Sequence, residues 1–109
     1  MASAEECRAA VERIAAHISR DRRAAGFERD VSITVTDLGL TFRGRLHDGV
    51  LDGITTTEAG RAAAVRMEAC SDDLLRLANG ELPFAQAWLT GRLRIHASLG
   101  DLLKLRGFL

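Results

Sequence analysis

The chain has 109 residues, with 15 basic against 15 acidic, 47% hydrophobic and 28% charged. That length predicts one domain over 1–109 with a single core, and that composition excludes a disordered chain. Zero net charge argues against a nucleic-acid binder, which carries a basic surplus.

Ser3 and Glu6 stand at capping-box spacing, and Cys7, Ala10, Val11, Ile14, Ala15 and Ile18 recur at helical spacing. An amphipathic helix is predicted from residue 4 to about 19, with Glu5, Arg8, Glu12 and Arg13 on its polar face. The charged segment from Arg20 to Asp30, which holds Gly26, reads as a connection. The period then drops from about 3.6 to 2. Val31, Ile33 and Val35 form a first strand, broken by Asp37 to Gly39. Leu40, Phe42, Gly44 and Leu46 form a second. Asp48-Gly49 is a hairpin turn signal. Val50 to Thr57 reads as a third strand broken by Asp52 and Gly53, Glu58 to Gly60 as a turn, and Ala63 to Ala69 as a fourth strand. Four successive strands with short turns predict an antiparallel meander.

Ser71 reads as the N-cap of a short helix, with Asp72 and Asp73 at its positive end and Asn79-Gly80 at its close. Pro83 opens another helix bearing Phe84, Ala87, Trp88 and Leu89, and Gly91 closes it. Arg92 to Ala97 alternates as a fifth strand. Ser98 caps a last helix carrying Leu99, Leu102, Leu103 and Leu105.

Chemical motifs are sparse. Cys7 and Cys70 lack C-x-x-C spacing and read as free, buried thiols. His17, His47 and His96 are too scattered for a metal motif. The sequence holds no G-x-S-x-G, no G-x-G-x-x-G and no P-loop. Neither a metal nor a cofactor is expected. MASAEECRAA has no apolar signal core, GFL is not a peroxisomal address, and no apolar run reaches the roughly 18 residues of a span. A soluble cytoplasmic protein is the expectation, without nucleic acid and without integral membrane insertion.

The stretch DDLLRLANGELPFAQAWLTGRLRIHASLGDLLKL, from Asp72 to Leu105, resembles the sterol-carrier-protein type of lipid-binding domain. The likeness lies in Asn79-Gly80 ending a short helix, then Leu82, then Ala87 and Trp88 in the next helix, then Thr90-Gly91. Arg92-Leu93-Arg94-Ile95 follows as a strand, and an apolar helix closes on Lys104-Leu105. The departures are Ala97 where the family often has Gly, Asp101 where it often has an apolar residue, and the early position of Pro83. The resemblance implies an α+β fold, a five-stranded mostly antiparallel sheet with helices on one face around an apolar cavity. It also implies binding of a sterol, fatty acid, acyl thioester or phospholipid without chemistry.

Independently of the resemblance, a cavity lined by apolar side chains binds an acyl chain with few polar contacts, at about 0.8 kcal/mol per buried methylene. Phe42, Met67, Phe84, Trp88, Leu89, Ile95, Leu102, Leu103 and Phe108 are the candidates to line it. The bland alternative is that they fill a solid core. The last helix reads as a cap on that core and a mobile lid. Arg43, Arg45, Arg92 and Arg94 offer a basic strip on the outer sheet face, or an ordinary solvated face balanced by Glu68. Two rival functions stay open. One is a homodimerisation or accessory module built on the last helix. The other is a small cavity enzyme, for which Asp37, Asp101 and His17 are the only candidates and no Tyr is present to assist.

Overall fold

The computed structural model describes residues 2–19, 28–47, 50–58 and 63–108, the side chains of Ser19, Glu58 and Phe108 excepted. Helix α1 spans Ala4–Ser19. Ser3 Oγ accepts from the Glu6 N–H at 3.2 Å while Glu6 Oε1 accepts from the Ser3 N–H at 3.1 Å, which closes the capping box. The predicted stripe is the buried one: Cys7, Ala10, Val11, Ile14, Ala15 and Ile18 all face the core. Each fully buried Val or Ile on it is worth roughly 1.5–3 kcal/mol against exposure.

Four strands follow, β1 (Arg29–Val35), β2 (Leu40–His47), β3 (Val50–Glu58) and β4 (Val65–Ala69). Helices α2 (Ser71–Ala78) and α3 (Phe84–Leu89) lead to a short β5 (Arg94–His96) and to α4 (Leu99–Phe108). The sheet runs in the order β3-β2-β1-β4-β5. β1 pairs antiparallel with β2, β2 with β3, and β4 with β5, whereas β4 lies parallel to β1, with Val31 opposite Val65 and Val35 opposite Ala69. The sheet is thus mostly antiparallel, but the predicted meander holds only through β3. The reason lies in side-chain polarity. Val65, Met67 and Ala69 of β4 are buried, and β1 is buried along most of its length. β3 carries Asp52, Thr55, Thr56 and Thr57 exposed. An apolar strand gains most beside the central one, and a polar strand suits the edge.

Asp52 and Gly53 do not end the third strand. The register shifts between Arg43 and Arg45, which face Thr55 and Asp52 respectively. Gly53 takes φ of 65°, so the extra residue is absorbed as a β-bulge with a glycine in the left-handed region. Glu58, read as the start of a turn, ends β3 opposite Leu40; Asp48-Gly49, residues 59–60 and most of the 20–30 connection lie outside the described residues.

Ser71 is not the cap of α2. It is the first helical residue, and Cys70 occupies the N-cap without a side-chain bond. The Ser71 hydroxyl instead donates to Asp37 Oδ2 at 2.6 Å, its N–H donates to Asp37 Oδ1 at 2.8 Å, and its Oγ accepts from the Ala2 N–H at 3.2 Å. One fully buried serine thereby ties the β1–β2 turn and the chain ahead of α1 to the start of α2. The α2 end is as expected: Gly80 at φ of 75° lets Glu81 and Leu82 N–H groups satisfy the Arg76 carbonyl. Ser98 caps α4 through the Asp101 N–H at 3.2 Å.

Candidate functional site

Inward residues of the sheet and of α1 meet under α3 and α4 in an apolar core. At its centre lies a void of about 30 Å³. Val11, Ile14, Ala15 and Ile18 of α1 wall it on one side, and Val31, Ile33, Leu46, Leu51 and Met67 of the sheet on the other. Phe84 of α3 and Leu105 of α4 close it. Ligand pockets for drug-sized molecules run to roughly 300–1,000 Å³, so a space of this size holds no more than about a water molecule. An acyl chain enters only if a wall moves.

Phe84 is the wall with somewhere to go. It also lines a surface groove of about 280 Å³ between α1 and the α2–α3 connection, together with Arg13, Ile14, His17, Leu77 and Leu82. Phe84 and Ile14 are therefore shared by the inner void and the outer groove, and Phe84 is only half-buried. On the other side of α3 a wider groove of about 590 Å³ is lined by Ala85, Trp88, Leu89 and Arg106.

Of the candidate lining residues, Met67 and Phe84 meet at the void. Phe42 is buried on the inner sheet face within the same core, and Ile95 packs against that core half-buried. Trp88 lies on the groove beside α4, and Leu102 is half-buried on α4. Leu89 and Leu103 face solvent. Leu89 ends a helix of six residues whose buried position is Ala87, and Leu103 lies away from the Asp101–Leu105 side by which α4 is buried. The Phe108 side chain lies outside the described residues. Reading the sequence missed the contribution of α1 to the void, although the stripe Val11, Ile14, Ala15 and Ile18 had been read as inward. It also missed Leu105. Periodicity says which side chains turn inward and not which of them leave a gap.

The two acidic candidates are engaged elsewhere. Asp101 is buried, and its carboxylate accepts from Arg29 Nε and Nη2, both at 3.1 Å, a fork that ties the first turn of α4 to the start of β1. Asp37 is held below the usual carboxylate range, first by the Ser71 hydroxyl and then by the Ser71 N–H. His17 is exposed on the α1 groove. His47 faces Asp52 at 3.3 Å and His96 faces Glu68 at 2.8 Å. Among the described residues, no three of His, Cys, Asp and Glu converge as a metal-ligand set. Both cysteines are free. Burial pushes the thiols of Cys7 and Cys70 up, with neighbouring carboxylates adding to the effect at Cys7. Cys70 lies in a polar cleft with Asp73, Arg92 and Arg94, and a raised thiol there is a poor nucleophile.

The four arginines do not make one strip. β1 and β4 stand between β2 and β5, and Arg92 precedes β5. Arg43 and Arg45 lie 3.9 and 3.3 Å from Asp30, and Arg92 lies 3.3 Å from Asp73.

Comparison with solved structures finds similar folds among the sterol carrier proteins. The fold is that of sterol carrier protein 2. Sterol carrier protein 2 like 2 from Aedes aegypti superposes with a TM-score of 0.67 at 14% identity, covering 96% of this chain and 97% of its own. Aedes aegypti sterol carrier protein 2 in complex with palmitate gives 0.62 at 17% identity, over 99% of this chain and 96% of that one. The stereoselective inverting sec-alkylsulfatase of Pseudomonas sp. contains a similar unit, with a TM-score of 0.59 at 21% identity over 80% of this chain. The present chain spans 14% of the length of that sulfatase. No protein-family model and no curated protein matches the sequence. Among the described residues, no helix is long and apolar enough to cross a membrane.

Proposed function

We propose that residues 1–109 form one domain that binds a hydrophobic, acyl-chain ligand between the sheet and helices α1, α3 and α4, without catalysing a reaction on it. The observation that carries this reading is the shared wall. The inner void is lined entirely by apolar side chains, and Phe84 separates it from an open groove. Rotation of one half-buried ring joins the two spaces, and a displaced α4 enlarges them further. Support for acyl chains comes from the palmitate complex of the Aedes aegypti protein, which shares the fold. Support for binding without chemistry comes from the acids. Asp37 and Asp101 are each occupied by a partner, Ser71 and Arg29, and neither lines the void.

The test is titration of the purified protein with a fluorescent fatty acid, beside mass spectrometry of lipid carried through purification. Phe84→Ala removes the partition and should bind the probe more tightly and faster than the wild type. A wild type and a folded Phe84→Ala that both leave the probe in water would defeat the proposal.

A further inference from the structure

On the sheet face turned away from the buried Val31, Ile33, Val65 and Met67, the strand register sets one row of side chains across all five strands. Ser32 of β1 lies opposite Arg43 of β2 on one side and opposite Arg66 of β4 on the other. Arg43 in turn faces Thr55 of β3, and Arg66 faces His96 of β5. Neighbouring strands stand about 4.8 Å apart, so the two arginines leave the backbone roughly 10 Å apart with the serine midway. Two side chains as long as arginine span that gap.

The donors of this row are unspent. Ser32 is only 5% exposed, yet its hydroxyl bonds to no group among the described residues. No fully buried side-chain oxygen among those residues lacks a partner, so this hydroxyl still reaches solvent. A serine so deeply set normally bonds within the protein, as Thr34 and Thr41 of the next row bond to each other at 2.9 Å. Arg66 is exposed and pairs with no carboxylate among the described residues. Arg43 comes no closer than 3.9 Å to Asp30, beyond hydrogen-bond length, while Arg45 bonds that carboxylate at 3.3 Å. Glu68, two residues along β4 from Arg66, meets His96 at 2.8 Å. The two acids beside the row are thus engaged by other groups. The Arg43 side chain is already largely laid against the sheet, at 28% exposed, so a ligand has less of its freedom to remove.

We infer that Arg43, Ser32 and Arg66 form a binding site for the phosphate group of a soluble phosphate monoester. Two guanidinium forks and a hydroxyl between them match a tetrahedral dianion, which offers an oxygen to each. A carboxylate, with two oxygens and one charge, leaves one of the three donors unused. The row and its neighbours present no apolar side chain on this face, from Asp30, Arg45 and Asp52 at one side to Thr34, Thr41 and Thr57 at the other. The ligand is therefore met in solution and not at a bilayer surface. The site goes beyond the acyl-chain reading and stands without it, because the sheet separates the row from the inner void.

The experiment titrates the isotope-labelled protein with inorganic phosphate and then with glycerol 3-phosphate, at a pH about 1.5 above the second phosphate pKa near 6. Potassium chloride at matched ionic strength is the comparison. The expected result is saturable movement of the Ser32, Arg43 and Arg66 resonances at about millimolar ligand, absent with chloride. Arg66→Gln should weaken binding by at least about ten-fold. Ser32→Ala should weaken it by roughly three- to ten-fold without lowering the melting temperature, because the hydroxyl it deletes bonds nothing in the protein. Asp30→Asn removes the acid nearest Arg43 and should tighten binding. Resonances of the row that stay still, or that move equally with chloride, overturn the inference. So does binding that survives Arg43→Gln with Arg66→Gln. So does a Ser32→Ala variant that melts early and binds as the wild type does, which would make the serine structural. An ester that fails where inorganic phosphate binds overturns the assignment to a monoester.

Discussion

Replacing Asp101 by Asn tests a charged clasp between α4 and the sheet. The substitution keeps size and shape but removes the charge and replaces one acceptor with an N–H that faces the guanidinium. The wild-type carboxylate accepts two bonds from Arg29 at 3.1 Å. Its side chain is 10% exposed and that of Arg29 is 37% exposed. Breaking a fully buried pair costs roughly 3–5 kcal/mol, and exposed pairs are worth about 0–1 kcal/mol. This pair lies between, and hydrogen bonds to charged groups are worth about 1.5–3 kcal/mol, so a loss of about 2 kcal/mol is expected. For a domain of this length that lowers the melting temperature by roughly 8–10 °C. Circular dichroism on heating measures the total, and amide hydrogen exchange over residues 99–108 locates it. Exchange should speed up in α4 before it does in α1 or β1, and association of a fluorescent fatty acid should quicken with it. An Asp101→Asn variant that melts with the wild type and protects α4 equally would show that Leu105 alone holds the helix, and the clasp would lose its meaning.

Two further expectations rest on single contacts. Asp37 has a folded-state pKa below its unfolded value, so the stability it contributes is complete above the ordinary carboxylate value near 3.8 and is lost as pH falls through the lower folded-state value. Urea melts across acidic pH should lose part of this dependence in Asp37→Asn, and an unchanged profile would remove the Ser71 bonds as its cause. At Gly44 an added Cβ would lie 3.0 Å from Leu51 Cδ1 and 3.1 Å from the Asp52 carbonyl oxygen. The backbone oxygen cannot swing aside, so Gly44→Ala should cost roughly 1–3 kcal/mol by denaturant unfolding. A neutral outcome would mean that the bulge at Gly53 relaxes to make room.

Much of the architecture was legible because it rests on local rules. Ser3 and Glu6 announce α1, the shift from period 3.6 to 2 at Val31 announces the sheet, and Ser98 announces α4. What sequence could not supply was pairing across distance. Nothing local to Val65 says that its neighbour is Val31 and not a β3 residue, and only the relative polarity of β3 and β4 hints at it. Ser71 was misread for a related reason. A serine ahead of two aspartates has the local look of a cap, yet its hydroxyl is claimed by Asp37 from the β1–β2 turn. At the site, residue type marked Met67 and Phe84 as wall-forming. The exposure of Leu89 and Leu103 depends on how α3 and α4 sit on the core, which no periodicity within six or ten residues determines.

The parallel seating of β4 against β1 also orders events in time. The β2–β3 hairpin closes by local contact, on the microsecond scale typical of hairpins. Pairing of β4 with β1 closes a longer stretch of chain, because the whole hairpin lies between them in the sequence. The β1–β4 seam is thus the long-range step expected to set the pace of folding. It is also the place where a chain with both hairpin and α1 formed still shows the bare edge of its central strand. A nascent molecule is most open to association with others at that stage, and the polar β3 at the far edge offers such contacts little purchase.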